Sequence, residues 1–364
     1  MRLYYVANIR LPTERAHGAQ VMSMCEAFVR AGAQVELVVP ERRTIREDPF
    51  SYYGIQTRFA VRVLPVLDLV SWGRVGFYIE SLTFALRAAL ALRGKQGVVY
   101  GRDELVLALL LCAGREVVWE DHRGSTNAAA RFVARRARLV VAISEGLMEH
   151  HLRRGVQGER TMVAHDGVDL AAFAHPEPRE LARRRLGLPL EERVALYIGS
   201  VGEGKGVETL AETAALLKDT IVAVIGGEEC ELLALRRRYP LVRFLGARPY
   251  RDLADNEQAA DVLVVPNSGR YELWARFTSP LKLFAAMASG VPMVVSDTPS
   301  MREVVDESCA TLVPPDDPAA LAAGIAAAQG EDARRMALLA KERVRAYDWL
   351  MRAQAILSRM GTTA

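Results

Sequence analysis

Two lysines stand in turns built to hold an anion. The chain carries 47 Lys and Arg residues, yet only five are lysine, so the setting of each lysine is informative. The first, Lys205, lies in Gly199-Ser200-Val201-Gly202-Glu203-Gly204-Lys205-Gly206, between the apolar run Val194 to Ile198 and a stretch of helical period. Glycines there let the backbone approach a ligand closely, and lysine adds a compact cation. The spacing fits neither a Walker loop nor a Gly-x-Gly-x-x-Gly dinucleotide turn. The second, Lys282, lies in Thr278-Ser279-Pro280-Leu281-Lys282. Here Ser279 is read as the helix N-cap, Pro280 as the first helical residue and Gly290 as the stop. The N–H groups of Leu281 to Leu283 would then face a phosphate or diphosphate. An ordinary capped helix is the alternative for this segment alone. A third turn, Gly226-Gly227, closes another strand-like run in the same half. Together the three turns point to a phosphate-bearing ligand.

Other reactive types are less organised. Cys25, Cys112, Cys230 and Cys309 form no Cys-x-x-Cys pair, which argues against a disulfide framework or zinc site and for small buried apolar side chains. No Asp-x-Asp is present, so no obligatory divalent ion is implied. Glu120 and Asp121 are adjacent and would point to opposite sides of one strand, which argues against a cooperative carboxylate pair. His122 follows them, either lining a cleft or sitting as a satisfied strand-end histidine. His150 and His151 are read on an exposed helix face. Arg183-Arg184-Arg185, Arg236-Arg237-Arg238 and Arg135-Arg136 with Arg138 are read as solvated faces.

These residues must be positioned by α/β units. Strand-like runs near 2–7, 35–39, 97–100, 116–119, 138–142 and 161–164 alternate with helical periods near 18–31, 76–93, 103–113, 125–136 and 144–154. The segment 64–74 is apolar but irregular and is read as a loop. A proline-bearing linker over 173–192 follows, and the alternation restarts at 194–198, 220–225, 242–244, 262–265 and 293–295. A helix is predicted over 318–328, and the stretch 331–360 reads as two helices without a strand. Two doubly wound α/β domains result, with ligands expected beyond the carboxyl ends of the strands.

The order of these segments resembles the GT-B-fold retaining glycosyltransferases of family 4 (group 1). The resemblance rests on Leu11 to Gln20, Ala142-Ile143-Ser144, Asp166-Gly167-Val168-Asp169, Gly199 to Gly206, Ala260 to Asn267 and Thr278 to Glu303. It covers nearly the whole chain. It implies two Rossmann-like domains facing each other across a cleft: residues 1–174 on the acceptor side and 175–345 binding the donor. Helix 346–364 would pack back on the first domain. A nucleoside diphosphate sugar is implied as donor substrate, with no obligatory cofactor.

Carried over by position, Gly18 resembles the glycine that admits the donor diphosphate, and His17 would line the acceptor side. His122 resembles the histidine near the transferred sugar, and Lys205 the lysine on the distal phosphate. The backbone of Ser279 to Leu283, with Thr278 and Lys282, resembles the diphosphate cradle. Gly226 and Arg248, the latter in Gly246-Ala247-Arg248-Pro249, fall near the nucleotide. Three positions depart from the family. Ser200 replaces a customary arginine, while Phe277 and Ala285 replace two glutamates, for the first of which Glu272 is a candidate substitute. Losing a carboxylate that holds ribose hydroxyls costs roughly 1.5–3 kcal/mol.

Composition narrows the partners. With 25% charged residues, 51% hydrophobic residues and a formal charge of +3, disorder and fibrous repeats are excluded. No nucleic-acid-binding module accompanies the arginines, and no continuous apolar run approaches a membrane span. The expected location is cytoplasmic, at the inner face of a membrane if Arg135-Arg136 with Arg138, or the apolar segment near Trp72, meets lipid and the acceptor is a lipid-linked glycan. The implied role is sugar transfer in cell-envelope or surface polysaccharide synthesis. The alternatives are a non-catalytic GT-B binding protein and a nucleotide-sugar epimerase.

Overall fold

The structure, a computed structural model, describes residues 1–42 and 45–362. Contacts divide the chain into two units, Met1–His165 with the chain from Trp349 onward, and Asp166–Asp348. The first break thus falls at 165/166 rather than 174/175.

In the first unit seven parallel strands are ordered β3-β2-β1-β4-β5-β6-β7. They are β1 (Arg2–Val6), β2 (Gln34–Pro40), β3 (Ala60–Leu64), β4 (Val98–Gly101), β5 (Val117–Asp121), β6 (Leu139–Ala142) and β7 (Thr161–Val163). The helices between them are α1 (Ala16–Arg30), α2 (Pro49–Tyr53), α3 (Arg74–Leu92), α4 (Glu104–Cys112), α5 (Ala128–Arg136) and α6 (Glu145–Arg153). Central strands read as continuous apolar runs because both sheet faces are covered. On one face, Phe84, Ala88 and Leu92 of α3, Leu107 and Leu110 of α4 and Val133 of α5 pack against Tyr4, Val99, Trp119 and Val140.

The irregular segment begins inside β3 and runs through a 3₁₀ turn at Val70–Trp72 before α3 starts at Arg74. Helix α3 is long and apolar enough to span a bilayer by length and composition, although its inner face is in the core. Its outer face is also apolar: Val75, Tyr78, Leu82, Leu86 and Leu90 are all exposed, at the spacing of one helical stripe.

The second unit has six parallel strands ordered β10-β9-β8-β11-β12-β13. These are β8 (Arg193–Ile198), β9 (Thr220–Ile225), β10 (Val242–Gly246), β11 (Val262–Val265), β12 (Met293–Ser296) and β13 (Thr311–Val313). The stretch read as a linker contains a helix, α7 (Arg179–Leu186), and Arg183 on it is not solvated. It is 1% exposed, and it bonds to Asp261 and to the carbonyls of Ala259, Pro189, Leu190 and Glu192. The helices that follow are α8 (Val207–Thr213), α9 (Glu229–Arg238), α10 (Leu253–Gln258), α11 (Glu272–Ala275), α12 (Leu281–Ser289), α13 (Pro299–Arg302), α14 (Pro318–Ala327) and α15 (Gly330–Arg343).

The last helix, α16 (Trp349–Thr362), belongs to the first unit. The expected helix 346–364 is shorter at its start, where a 3₁₀ turn covers Val344–Tyr347, and residues 363–364 lie outside those described. Two further expectations fail. Cys112 and Cys230 are exposed, whereas Cys25 and Cys309 are buried. His151 is buried rather than on a solvent face, because Asp121 Oδ2 lies 2.8 Å from its Nε2 and Trp119 packs edge-on to its ring.

Candidate functional site

In the second unit the two lysines are placed at the carboxyl ends of the central strands. The loop after β8 holds Lys205, whose Nζ lies 4.0 Å from the ring centre of Trp274 on α11. Lys282, in the first turn of α12, lies 4.5 Å over Tyr197 and donates to its hydroxyl at 3.2 Å. Neither lysine has a carboxylate within ion-pair distance among the described residues. Burial pushes the Lys205 ammonium down to about 8. Burial, followed by repulsion from Lys205, takes Lys282 well below the usual lysine range. Two half-buried lysines without a carboxylate partner, each disfavoured as a cation by its surroundings, form a site that an anion would complete.

The backbone is tight here. Gly206 has φ +74°, and a Cβ would sit 1.6 Å from the Pro266 carbonyl oxygen. Gly204, at φ +76°, would place a Cβ 2.0 Å from Trp274. Beside this loop, Ser268 donates its N–H to the Gly204 carbonyl at 3.1 Å. The neighbouring Asn267 is fully buried, and neither of its amide atoms has a partner. An unpaired amide is rare in a protein interior.

The cradle differs from the expected capping. Pro280, not Ser279, occupies the N-cap position of α12. The Ser279 hydroxyl instead accepts the backbone N–H of Asp166 at 2.8 Å. Leu283 N–H is spent on the Pro280 carbonyl at 2.9 Å, which removes it from the expected set of outward donors. Gly290 does end the helix, at φ +73°. Of the other donor-side candidates, Ser200 is exposed and its carbonyl accepts the Tyr197 hydroxyl at 2.6 Å. Gly226 directly follows β9, with its N–H on the Gly246 carbonyl. Arg248 is exposed and bonds the Ala247 carbonyl. Glu272 opens α11 and is exposed, while Thr278 and Leu281 are half-buried. Phe277 and Ala285 are buried in the unit's interior.

In the first unit, His17 and Gly18 open α1. A Cβ on Gly18 would meet the Tyr53 hydroxyl at 2.1 Å and Thr13 at 2.7 Å. That hydroxyl accepts Thr13 N–H and donates to the Thr13 carbonyl, each at 2.8 Å. Packing against Tyr53 and Thr13 thus leaves no room for a side chain at this glycine. His122 follows β5, and its Nε2 lies 2.6 Å from Glu120 Oε1. Glu120 also receives Gln20 Nε2 at 2.6 Å, Arg352 Nη1 at 2.9 Å and the Tyr100 hydroxyl. Burial raises the Glu120 carboxyl, but Arg352 and then His122 outweigh it and hold the group well below the ordinary range.

Tyr197, Trp274 and Asn267 were not among the residues singled out from sequence. Tyr197 reads as strand core and Trp274 as one aromatic among several. Only the fold shows that each abuts a lysine or its loop.

Comparison with known proteins places the whole arrangement. The family model described as Glycosyltransferase Family 4 matches residues 18–172, and that described as Glycosyl transferases group 1 matches 192–329. TuaC of Bacillus subtilis, assigned as a teichuronic acid biosynthesis glycosyltransferase, is 29% identical over 235 residues, which are 64% of this chain and 57% of that protein. The D-inositol 3-phosphate glycosyltransferase of Xylanimonas cellulosilytica is 32% identical over 221 residues, covering 56% of this chain and 51% of that one. The chain thus spans little more than half the length of these curated relatives. The crystal structure of Anabaena HepE in complex with UDP and glucose is similar in fold, with a TM-score of 0.79 over 100% of both chains at 18% identity. With one glycosyltransferase model matching each α/β unit, the chain belongs to the group 1, family 4 glycosyltransferases and has the GT-B fold.

Proposed function

We propose that this chain is a retaining glycosyltransferase that moves a sugar from a nucleoside diphosphate donor to an acceptor hydroxyl. The observation that carries this reading is the pair Lys205 and Lys282, half-buried, aromatic-capped and without a carboxylate at ion-pair distance among the described residues. In the transfer, the bond from the anomeric carbon to the diphosphate oxygen breaks and the electron pair leaves with the phosphate. Preorganised cations stabilise that developing charge without reorganising at the moment of reaction. The acceptor oxygen bonds to the same face of the anomeric carbon, and its proton passes to the departing phosphate. No side-chain nucleophile and no obligatory metal or cofactor enter this reading.

HepE is described in complex with UDP and UDP-glucose, so uridine donors are the first to try. TuaC's assignment to teichuronic acid biosynthesis supports a role in cell-envelope or surface polysaccharide synthesis, with a glycan or lipid-linked acceptor and no nucleic acid. The apolar outer face of α3 supports a cytoplasmic position at the inner face of a membrane. Exposed Arg74, Arg87, Arg131, Arg135 and Arg136 accompany that face on α3 and α5, whose only acid, Glu80, is buried. This combination suits anionic lipid.

The test is nucleotide release from UDP-, GDP- and ADP-sugars, with and without an envelope glycan or lipid extract. A transferase releases the diphosphate only with extract and with the anomeric configuration kept. An altered sugar without extract would mean an epimerase, and no turnover with any donor would mean a binding protein.

A further inference from the structure

Three arginines gather at the carboxyl-end edge of the first unit's sheet without an ion-pair partner among the described residues, although Arg102 lies in the field of Glu120 and Arg123 in that of Asp103. Parallel strands β1, β4 and β5 are adjacent, with Val6 opposite Gly101 and Gly101 opposite Trp119. Their carboxyl ends therefore lie side by side, about 10 Å across at the usual spacing between strands. Arg10 lies in the loop that leaves β1, Arg102 directly follows β4, and Arg123 lies two residues beyond β5. A span of that size is within reach of three arginine side chains.

The acids at this edge are already engaged. Asp103 caps α4 through Val106 N–H at 3.0 Å, and Glu104 accepts from Asn127. Glu120 has its four donors. Asp121 takes His151 and the N–H groups of Arg123 and Gly124. Glu14, exposed in the β1 loop, is the remaining carboxylate nearby. The Arg102 guanidinium donates only to the neutral Gln20 side-chain oxygen, at 2.9 Å, and the Arg10 and Arg123 side chains have no hydrogen bond or ion pair among the described residues.

We propose that this edge binds an anionic group of the acceptor, a phosphate or carboxylate, through Arg10, Arg102 and Arg123. The proposal rests on the transferase reading and extends it by naming the acceptor's charge. Planar guanidinium forks match phosphate and carboxylate oxygens in pairs, which suits recognition rather than simple attraction. The half-buried imidazole of His17 senses the whole cluster. Burial lowers it first, then the charges of Arg102, Arg15, Arg123 and Arg10, to about 3. His17 is thus neutral near pH 7, able to meet an acceptor hydroxyl while the arginines hold the charge.

The reading also contains another anion, the donor's diphosphate, so the experiment separates the two. Intact protein saturated with UDP is titrated with inorganic phosphate by calorimetry, for wild type, R123Q, R10Q and R102Q, with R238Q on α9 as control. Circular dichroism checks that each variant is folded. The expected result is saturable phosphate binding in the millimolar range, weakened about tenfold by R123Q, R10Q or R102Q and unchanged in R238Q, with UDP affinity kept throughout. Absence of saturable phosphate binding overturns the proposal. So does an equal loss of UDP and phosphate in the arginine variants, which would give the cluster to the donor. If UDP itself fails to bind wild type, the transferase reading falls separately, and phosphate is then titrated into the K205M/K282M variant without UDP.

Discussion

Arg352 and Glu120 are 232 residues apart in sequence and 2.9 Å apart in the structure, both shut away from solvent. Arg352 comes from α16, and its guanidinium also donates to the carbonyls of Ala164 and His165. Through Glu120, the last helix is tied to His122, the residue at the end of β5. A segment remote in sequence thus orients a candidate active-site imidazole.

Breaking that pair leaves a buried carboxylate uncompensated. Arg352→Met is expected to destabilise the first unit by about 3–5 kcal/mol, and Glu120→Gln in the same background to return part of the loss. Urea unfolding of the two single variants and the double variant reads the coupling. The pH sign follows from the depressed Glu120 value. Its contribution is complete above the unfolded carboxyl value and is lost as pH falls through the lower folded value. Arg352→Met raises the folded value, so the midpoint of acid unfolding should move to higher pH.

Lys205 predicts a pH dependence of a different sense. With the ligand-free ammonium near 8, binding a diphosphate at pH 8 or above must take up a proton. UDP affinity is expected to fall by up to tenfold per pH unit above 8, and Lys205→Arg to remove this break. Calorimetry in two buffers of different ionisation enthalpy measures the proton uptake. In the absence of ligand, stability should rise with pH above 8, since the unfolded lysine keeps its proton to about 10.5.

The loop carrying Lys205 depends on Gly206. A methyl group at φ +74°, 1.6 Å from a carbonyl oxygen, cannot be accommodated without moving the backbone. Gly206→Ala should cost more than about 1 kcal/mol and weaken UDP binding along with stability, read by thermal unfolding and calorimetry on one preparation.

The outer face of α3 gives a surface prediction. Leu82→Glu and Leu86→Glu, both at exposed positions, should leave thermal stability within about 0.5 kcal/mol of wild type. Both should abolish flotation with phosphatidylglycerol vesicles, and Trp72 fluorescence should shift to the blue only in wild type. Equal flotation of variant and wild type would remove the membrane contact from this account.

The interior strands and most helices were legible because doubly covered parallel strands show as unbroken apolar runs. The elements that escaped sit at the margins. Strand β3 is an edge strand, half-exposed and carrying Arg62 against Glu36, and β13 is a three-residue edge. Helix α2 has five residues, too few to show a period. In the site, both lysines were legible from their turns, because glycine and lysine are diagnostic between a strand and a helix. Their aromatic caps were not, since a Tyr or Trp carries the same signal in a core as over a cation. The close contact at Gly18 was equally hidden, because the Tyr53 hydroxyl beside it comes from 35 residues away. Arg183 and His151 looked solvent-facing because their partners, Asp261 and Asp121, are supplied by the fold.

The central claim is that Lys205 and Lys282 hold the diphosphate of a sugar donor. Calorimetric titration of the intact protein with UDP, GDP and ADP, repeated on Lys205→Ala and Lys282→Ala, tests it most directly. The account predicts micromolar binding of one nucleotide, weakened at least tenfold in each variant while both remain folded. Folded wild-type protein that binds none of the three, or binding that both variants keep, would contradict it.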